Sequence, residues 1–122
     1  MCKAKHVLIV DPNQKDSQNL RKLLLSCNYT EEISEIPDPE KVYEFLSGKE
    51  CLPDVIFLEI KLTKMNGFRF IEKLENHFGQ TLKFIITTSS RNPMDIAKSS
   101  EYSSVQKYLI KPLNEVDLMD LD

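Results

Sequence analysis

The 122-residue chain is predicted to be an α/β domain, with one mostly parallel sheet carrying helices on both faces. Three observations predict it. Short continuous apolar runs recur, as in Val7 to Val10, Val55 to Leu58 and Phe84 to Ile86; bounded by turn residues, such runs suit strands buried on both faces. The segments between them space their apolar residues for one face of a helix. The links are short, so strand and helix alternate five times, which implies right-handed βαβ crossovers.

The elements follow in order. Lys5 to Val10 reads as a strand that ends at Asp11, and Pro12 and Asn13 punctuate before a helix. That helix runs from about Gln14 to Cys27 on a stripe of Leu20, Leu23 and Leu24, with Asn28 as its stop. Glu32 to Ile36 alternates weakly and is expected to be a short strand. Glu40 to Leu46, with Val42, Phe45 and Leu46 on one face, is a short helix ended by Ser47 and Gly48. The central strand, Val55 to Leu58, leads through Glu59 to a helix opened by Gly67, carried by Phe68, Ile71, Leu74 and Phe78, and closed by Gly79. Phe68, Phe70 and Phe78 read as packing residues, with Phe70 exposed. Leu82 to Thr87 is a fourth buried strand, followed by the hydroxyls Thr88, Ser89 and Ser90. Asn92 and Pro93 start a weakly periodic helix from Met94 to about Tyr102, whose stability must come from packing. Val105 to Ile110 is the fifth strand, ending in Lys111 and Pro112. Asn114 to Leu121 is a short amphipathic helix, expected to be truncated or frayed, with residues 1–122 forming one domain.

Composition bounds the function. Hydrophobic content of 41% and charged content of 29% are ordinary for a globular protein. A formal net charge of −3 does not favour a nucleic-acid-binding surface. With no apolar run of transmembrane length and no signal-peptide core, the expectation is a cytoplasmic protein without a membrane partner. Cys2, Cys27 and Cys51 read as free thiols of a reducing compartment. His6 and His77 have no metal or catalytic spacing; His6 reads as a strand-entry residue and His77 as a helix-surface one.

Four strand ends carry Asp11, Glu59, Thr88 and Lys111. In a parallel sheet all carboxyl ends lie on one edge, where α/β sites form. Two acids, a hydroxyl and an ammonium therefore converge, and Lys111 beside two carboxylates is expected to be charged and paired. The plainer alternative is a polar network that only caps the sheet edge.

Over nearly its whole length the sequence resembles the receiver domain of two-component response regulators. The matching pieces are Val7 to Asn13, Asp54 to Glu59, Met65 to Gly67, Phe84 to Ser89 and Lys107 to Pro112, in matching order and spacing. The resemblance implies a single doubly wound, flavodoxin-like fold with a five-stranded sheet of order 2-1-3-4-5. It also implies roles: Glu59 stands where the family has an aspartate phosphorylated by a histidine kinase. Asp11 is one acid of the Mg²⁺ pocket, Thr88 and Lys111 contact phosphoryl oxygens, and Thr88 and Tyr108 form the switch. The Lys111–Pro112 bond is expected to be cis.

Two departures matter more than the matches. Pro12 replaces the second acid of the family's pair, and Glu59 replaces the acceptor aspartate. The glutamate reaches one methylene further, and in-line phosphoryl transfer depends on positioning. Pocket charge is expected to be −1, from two acids and one lysine. No cofactor is expected, and any Mg²⁺ binding through Asp11 and Glu59 is expected to be weak. The reading is a degenerate, or pseudo-, receiver: a protein-interaction module, not an enzyme, in which Glu59 partly imitates a phosphorylated acceptor and bonds Thr88 with Tyr108 turned inward. Expected partners are a histidine kinase or downstream target, or a second copy, through the face from Met94 to Leu118. Ile96 or Val116 would supply apolar area there, and Lys98, Glu101, Lys107 and Asp117 a polar rim. Two competitors remain. One is a working receiver phosphorylated in a Mg²⁺-dependent way. The other is a flavin-binding flavodoxin, which the acid at Asp11 opposes because it would repel a phosphate.

Overall fold

The computed structural model describes residues 6–30, 32–48, 51–79 and 81–119. Ten elements alternate: β1 (His6–Val10), α1 (Gln14–Ser26), β2 (Glu32–Glu35), α2 (Glu40–Ser47), β3 (Val55–Leu58), α3 (Gly67–Phe78), β4 (Phe84–Thr88), α4 (Pro93–Ser99), β5 (Val105–Ile110) and α5 (Glu115–Met119). The strands form one parallel sheet of order β2-β1-β3-β4-β5, as expected.

Alternation along each strand divides the core in two, because successive side chains point to opposite faces. Leu8, Val10, Ile56, Leu58, Phe84 and Ile86 meet α2 and α3 through Val42, Leu46, Phe68, Ile71 and Leu74. Val7, Ile9, Val55, Phe57, Ile85 and Leu109 meet α1 and α5 through Leu20, Leu24 and Leu118. The apolar runs of β1 and β3 are thus continuous because both faces are covered.

Local chemistry sets the helix starts. Asn13, Asn66 and Asn92 each cap a helix by accepting from the backbone N–H of Asp16, Phe68 and Met94. Gly67 answers a different need. A Cβ there would lie 2.5 Å from Ile60 Cα and 3.1 Å from the Glu59 carbonyl oxygen. The Gly67 N–H instead donates to the Ile60 carbonyl at 2.8 Å, and Lys61 bridges to Asn66. The loop after Glu59 is closed on its own backbone.

Some expectations are corrected. β4 begins at Phe84, since its ladder to β3 starts there; Leu82 is buried, but in the preceding loop. α4 stops at Ser99, where Ser99 and Ser100 hydroxyls donate to the Ile96 and Ala97 carbonyls. The backbone then continues to Tyr102 through three-residue turns. Phe70 is fully buried, because Tyr43 of α2 packs edge-on against its ring at 6.4 Å. Cys27 is a free thiol, but Cys51 is disulfide-bonded, so the reducing-compartment reading loses that support; spacing along a chain does not reveal which thiols meet in space. α5 is described to Met119; Lys5, Cys2 and Leu121 lie outside the described residues. The Lys111–Pro112 bond is cis, as expected.

Candidate functional site

The parallel sheet brings Asp11, Glu59, Thr88 and Lys111 to one edge. Asp11 and Glu59 follow neighbouring central strands, and the Glu59 N–H donates to the Val10 carbonyl at 3.0 Å, holding the two acids side by side. Both are buried, at 4% and 6% exposure. Lys111 is anchored by its own N–H, which donates to the Thr88 carbonyl at 2.9 Å.

The Lys111 ammonium uses all three of its donors on carboxylates. Nζ donates to Asp11 Oδ2 at 2.7 Å, Glu59 Oε1 at 2.8 Å and Asp16 Oδ2 at 3.0 Å. Burial alone would lower the Lys111 pKa, but the hydrogen bonds to Asp11, Glu59 and Asp16 outweigh it and raise the pKa above the usual lysine value. Burial raises the Asp11 pKa, against the opposing pull of Lys111 and the Asn13 N–H.

Asp16 is the residue that strand-end reasoning misses, and it corrects the expected charge. Three acids and one ammonium give −2 when all are ionised, not −1. Its position still carried a signal. It sits in the first turn of α1, three residues after the cap Asn13. Helical side chains tilt toward the N-terminus, and the N-terminus of α1 abuts the edge where β1 ends. Asp16 and Lys111 also line a cavity of about 300 Å³ between α1 and the loop after β5, with Leu23 and Leu113 on its walls.

The remaining acceptor oxygens of the two buried acids are engaged too. Asp11 Oδ1 accepts from the Asn13 N–H at 2.9 Å, and Glu59 Oε2 from the Lys61 N–H at 3.1 Å. Mg²⁺ requires about six oxygen ligands in near-octahedral array at roughly 2.0–2.1 Å. Here the oxygens converge on an ammonium, and a divalent ion reaching them would meet Lys111. Among the described residues no group of three or more His, Cys, Asp or Glu side chains is arranged to hold a metal. The residues as placed do not fit the ion that the receiver resemblance implies.

Thr88 and Tyr108 lie in a separate network. Thr88 is fully buried, and its hydroxyl accepts from the Ser90 N–H at 3.3 Å. No hydrogen bond joins it to Glu59 among the described residues. The Tyr108 ring packs half-buried against the α2–α3 core, and its hydroxyl donates to the Ser90 carbonyl at 3.0 Å. The Ser90 hydroxyl donates to Asp95 Oδ2 of α4 at 2.6 Å and accepts from the Asn92 N–H at 3.3 Å. Ser90 is thus the common neighbour of Thr88, Tyr108 and α4. In the sequence it was one hydroxyl in a run of four, with nothing to single it out.

His6 is buried where β1 begins, with Nε2 3.1 Å from Ser34 Oγ, and His77 is exposed on α3. Beyond the pocket, α4 and α5 leave Met94, Ile96, Val116 and Met119 between 40% and 77% exposed. Lys98, Glu101 and Lys107 are exposed nearby, whereas Asp117 is half-buried and caps the start of α5 against Asn114. Among the described residues no helix is long and apolar enough to cross a membrane.

The family model for the response regulator receiver domain matches residues 7–121. Among curated relatives, the two-component response regulator-like protein APRR5 of Arabidopsis thaliana is 26% identical over 97% of this chain. The regulator of RpoS of Escherichia coli K12 is 28% identical over 93% of it. The chain spans only 21% and 32% of those two proteins. Among solved structures, a two-component response regulator from Cytophaga hutchinsonii superposes with a TM-score of 0.86 at 22% identity, over 97% of this chain and 93% of that one. At that identity the likeness shows the fold.

Proposed function

This chain belongs to the response regulator receiver family, and we propose that within two-component signalling it is a pseudo-receiver, an interaction module in which Glu59 is a permanent anion. The observation that carries this is the state of the Glu59 carboxylate. One oxygen accepts from Lys111 and the other from the Lys61 N–H. A nucleophile for phosphoryl transfer must present a free oxygen in line with the phosphorus. Here each oxygen is already held by one hydrogen bond, which fixes the carboxylate between Lys111 and the Lys61 N–H, on a side chain one methylene longer than aspartate.

Glu59 imitates a phosphorylated acceptor only in part. It brings about one negative charge, against roughly 1.5–2 for a phosphate. The switch role of Thr88 and Tyr108 belongs to the same proposal, and it runs through Ser90 rather than through a bond to Glu59. The partner is a histidine kinase, a downstream target or a second copy, docking on the face from Met94 to Leu118. The exposed Met94 favours that face, since a flexible thioether adapts to a partner.

Intact mass after incubation with a small acyl-phosphate donor and Mg²⁺ tests the reading. The expected result is no gain of a phosphoryl group. A gain that maps to Glu59 or to another residue would establish the working-receiver alternative. Glu59→Asp is expected to stay unmodified until Pro12→Asp restores the second acid.

A further inference from the structure

We propose that the Lys111 ammonium is the resident cation of this pocket, held by Asp11, Glu59 and Asp16 in the place of a divalent ion, so that the pocket is complete without metal. The inference rests on the reading of Glu59 as a permanent carboxylate. It adds the identity of the counter-ion and a role for Asp16.

Three features support it. The ammonium has three donors, and three carboxylates receive them at 2.7–3.0 Å. The two buried acids have their remaining oxygens on the backbone N–H groups of Asn13 and Lys61, so both carboxylates are oriented from behind and aimed at Nζ. The third acid comes from outside the strand ends. Pro12 removes one carboxylate from the β1–α1 junction, and Asp16 supplies one from the first turn of α1. It is a positioning residue: with only Asp11 and Glu59, one ammonium donor would turn to solvent. A divalent ion drawing on these oxygens would have to displace the ammonium, against the repulsion between the two cations and while completing its own octahedral shell.

The test has two arms. In the first, the ¹⁵N-labelled parent chain is titrated with MgCl₂ against NaCl of matched ionic strength. The Asn13 and Lys61 amides report, since they bond the two carboxylates directly. The expected result is no saturable shift of either amide up to about 20 mM, above any useful millimolar affinity. A saturable shift of both amides overturns the proposal. In the second arm, Lys111→Met removes the ammonium and keeps the stem. This variant is expected to acquire Mg²⁺ and Mn²⁺ binding, weakened about tenfold or more when Asp16→Asn is added, the scale for losing a group that supports a metal site. A folded Lys111→Met chain that gains no cation binding overturns the equivalence of ammonium and ion. If it does not fold, the first arm decides alone. The intact-mass experiment remains separate: a phosphoryl group taken up without Mg²⁺ would remove the pseudo-receiver reading, while the parent's indifference to Mg²⁺ would still stand.

Discussion

The two halves of the sheet edge are built differently. On the α1 side, Asp11, Glu59, Asp16 and Lys111 form a closed charged cluster with bonds of 2.7–3.0 Å. On the α4 side, Thr88, Ser90 and Tyr108 form a mostly neutral network with contacts of 3.0–3.3 Å, tied to α4 by the Ser90–Asp95 bond of 2.6 Å. The charged half is saturated, because every ammonium donor is used. The neutral half rests on hydroxyls and backbone groups and touches the element that carries the exposed Met94 and Ile96. The acid that imitates a signal and the hydroxyls that would read it are adjacent, yet no side-chain hydrogen bond joins Glu59 to Thr88. The two halves meet instead through the backbone, where the Lys111 N–H donates to the Thr88 carbonyl at 2.9 Å.

The largest expected effect breaks the charged half. Lys111→Met leaves three carboxylates without their counter-ion, and loss of one partner from a buried ion cluster costs about 3–5 kcal/mol, to be read from urea unfolding. The same variant gives a pH test. The folded-state pKa of Lys111 is raised above its ordinary 10.5, so its stabilisation is complete below that pH and is lost as pH rises beyond it. Burial and the Glu72 hydrogen bond push the Tyr102 pKa to about 12, and it weakens the fold over an overlapping range. Tyr102 is common to both chains, so the stability gap between parent and Lys111→Met should close from about pH 10.5 upward. A gap that stays constant there would mean that Lys111 stabilises through its stem alone.

Smaller effects sharpen the contrast. Ser90→Ala removes a bond to a charged acceptor and one to the Asn92 N–H, at about 1.5–3 kcal/mol. It should shift Asp95 and Met94 resonances while leaving the Asn13 and Lys61 amides in place. Movement of the latter would show that the halves communicate. Asp16→Asn should cost only about 0.5–1 kcal/mol, because Asp16 is 35% exposed on its side chain and salt screens it; the cost should shrink in high salt. Smallest of all is the coupling between Glu59→Gln and Thr88→Val in a double-mutant cycle, expected below about 0.5 kcal/mol, as for groups that share no bond. A coupling well above that value would restore a direct switch.

Much of the fold was legible because its signals are local. The continuous runs in β1 and β3 declare burial on both faces, and β5 was readable from Val105 to Ile110. The strand-end rule then located Asp11, Glu59, Thr88 and Lys111 together. Features decided by neighbours through space were not legible. Phe70 looked like an outward residue of α3 until Tyr43 of α2 covered it. Leu82 was apolar enough for a strand but lies before the ladder begins. Asp16 belongs to a helix turn, and strand-end reasoning does not search helices. Thr88 was placed correctly, but the direction of a hydroxyl is set by competition among nearby partners, and Ser90 won it.

The ammonium cluster also says something about time. Its three bonds link residues 100, 95 and 52 positions apart in the chain. Contacts of such long range form only after the entropy of closing the intervening loops has been overcome, and they slow folding. During synthesis the chain emerges from its N-terminus, so Asp11, Asp16 and Glu59 are all made before their counter-ion exists. Until Lys111 arrives, mutual repulsion among the acids opposes collapse of the sheet edge. A chain that ended before Lys111 would carry Asp11, Asp16 and Glu59 without the ammonium that joins them.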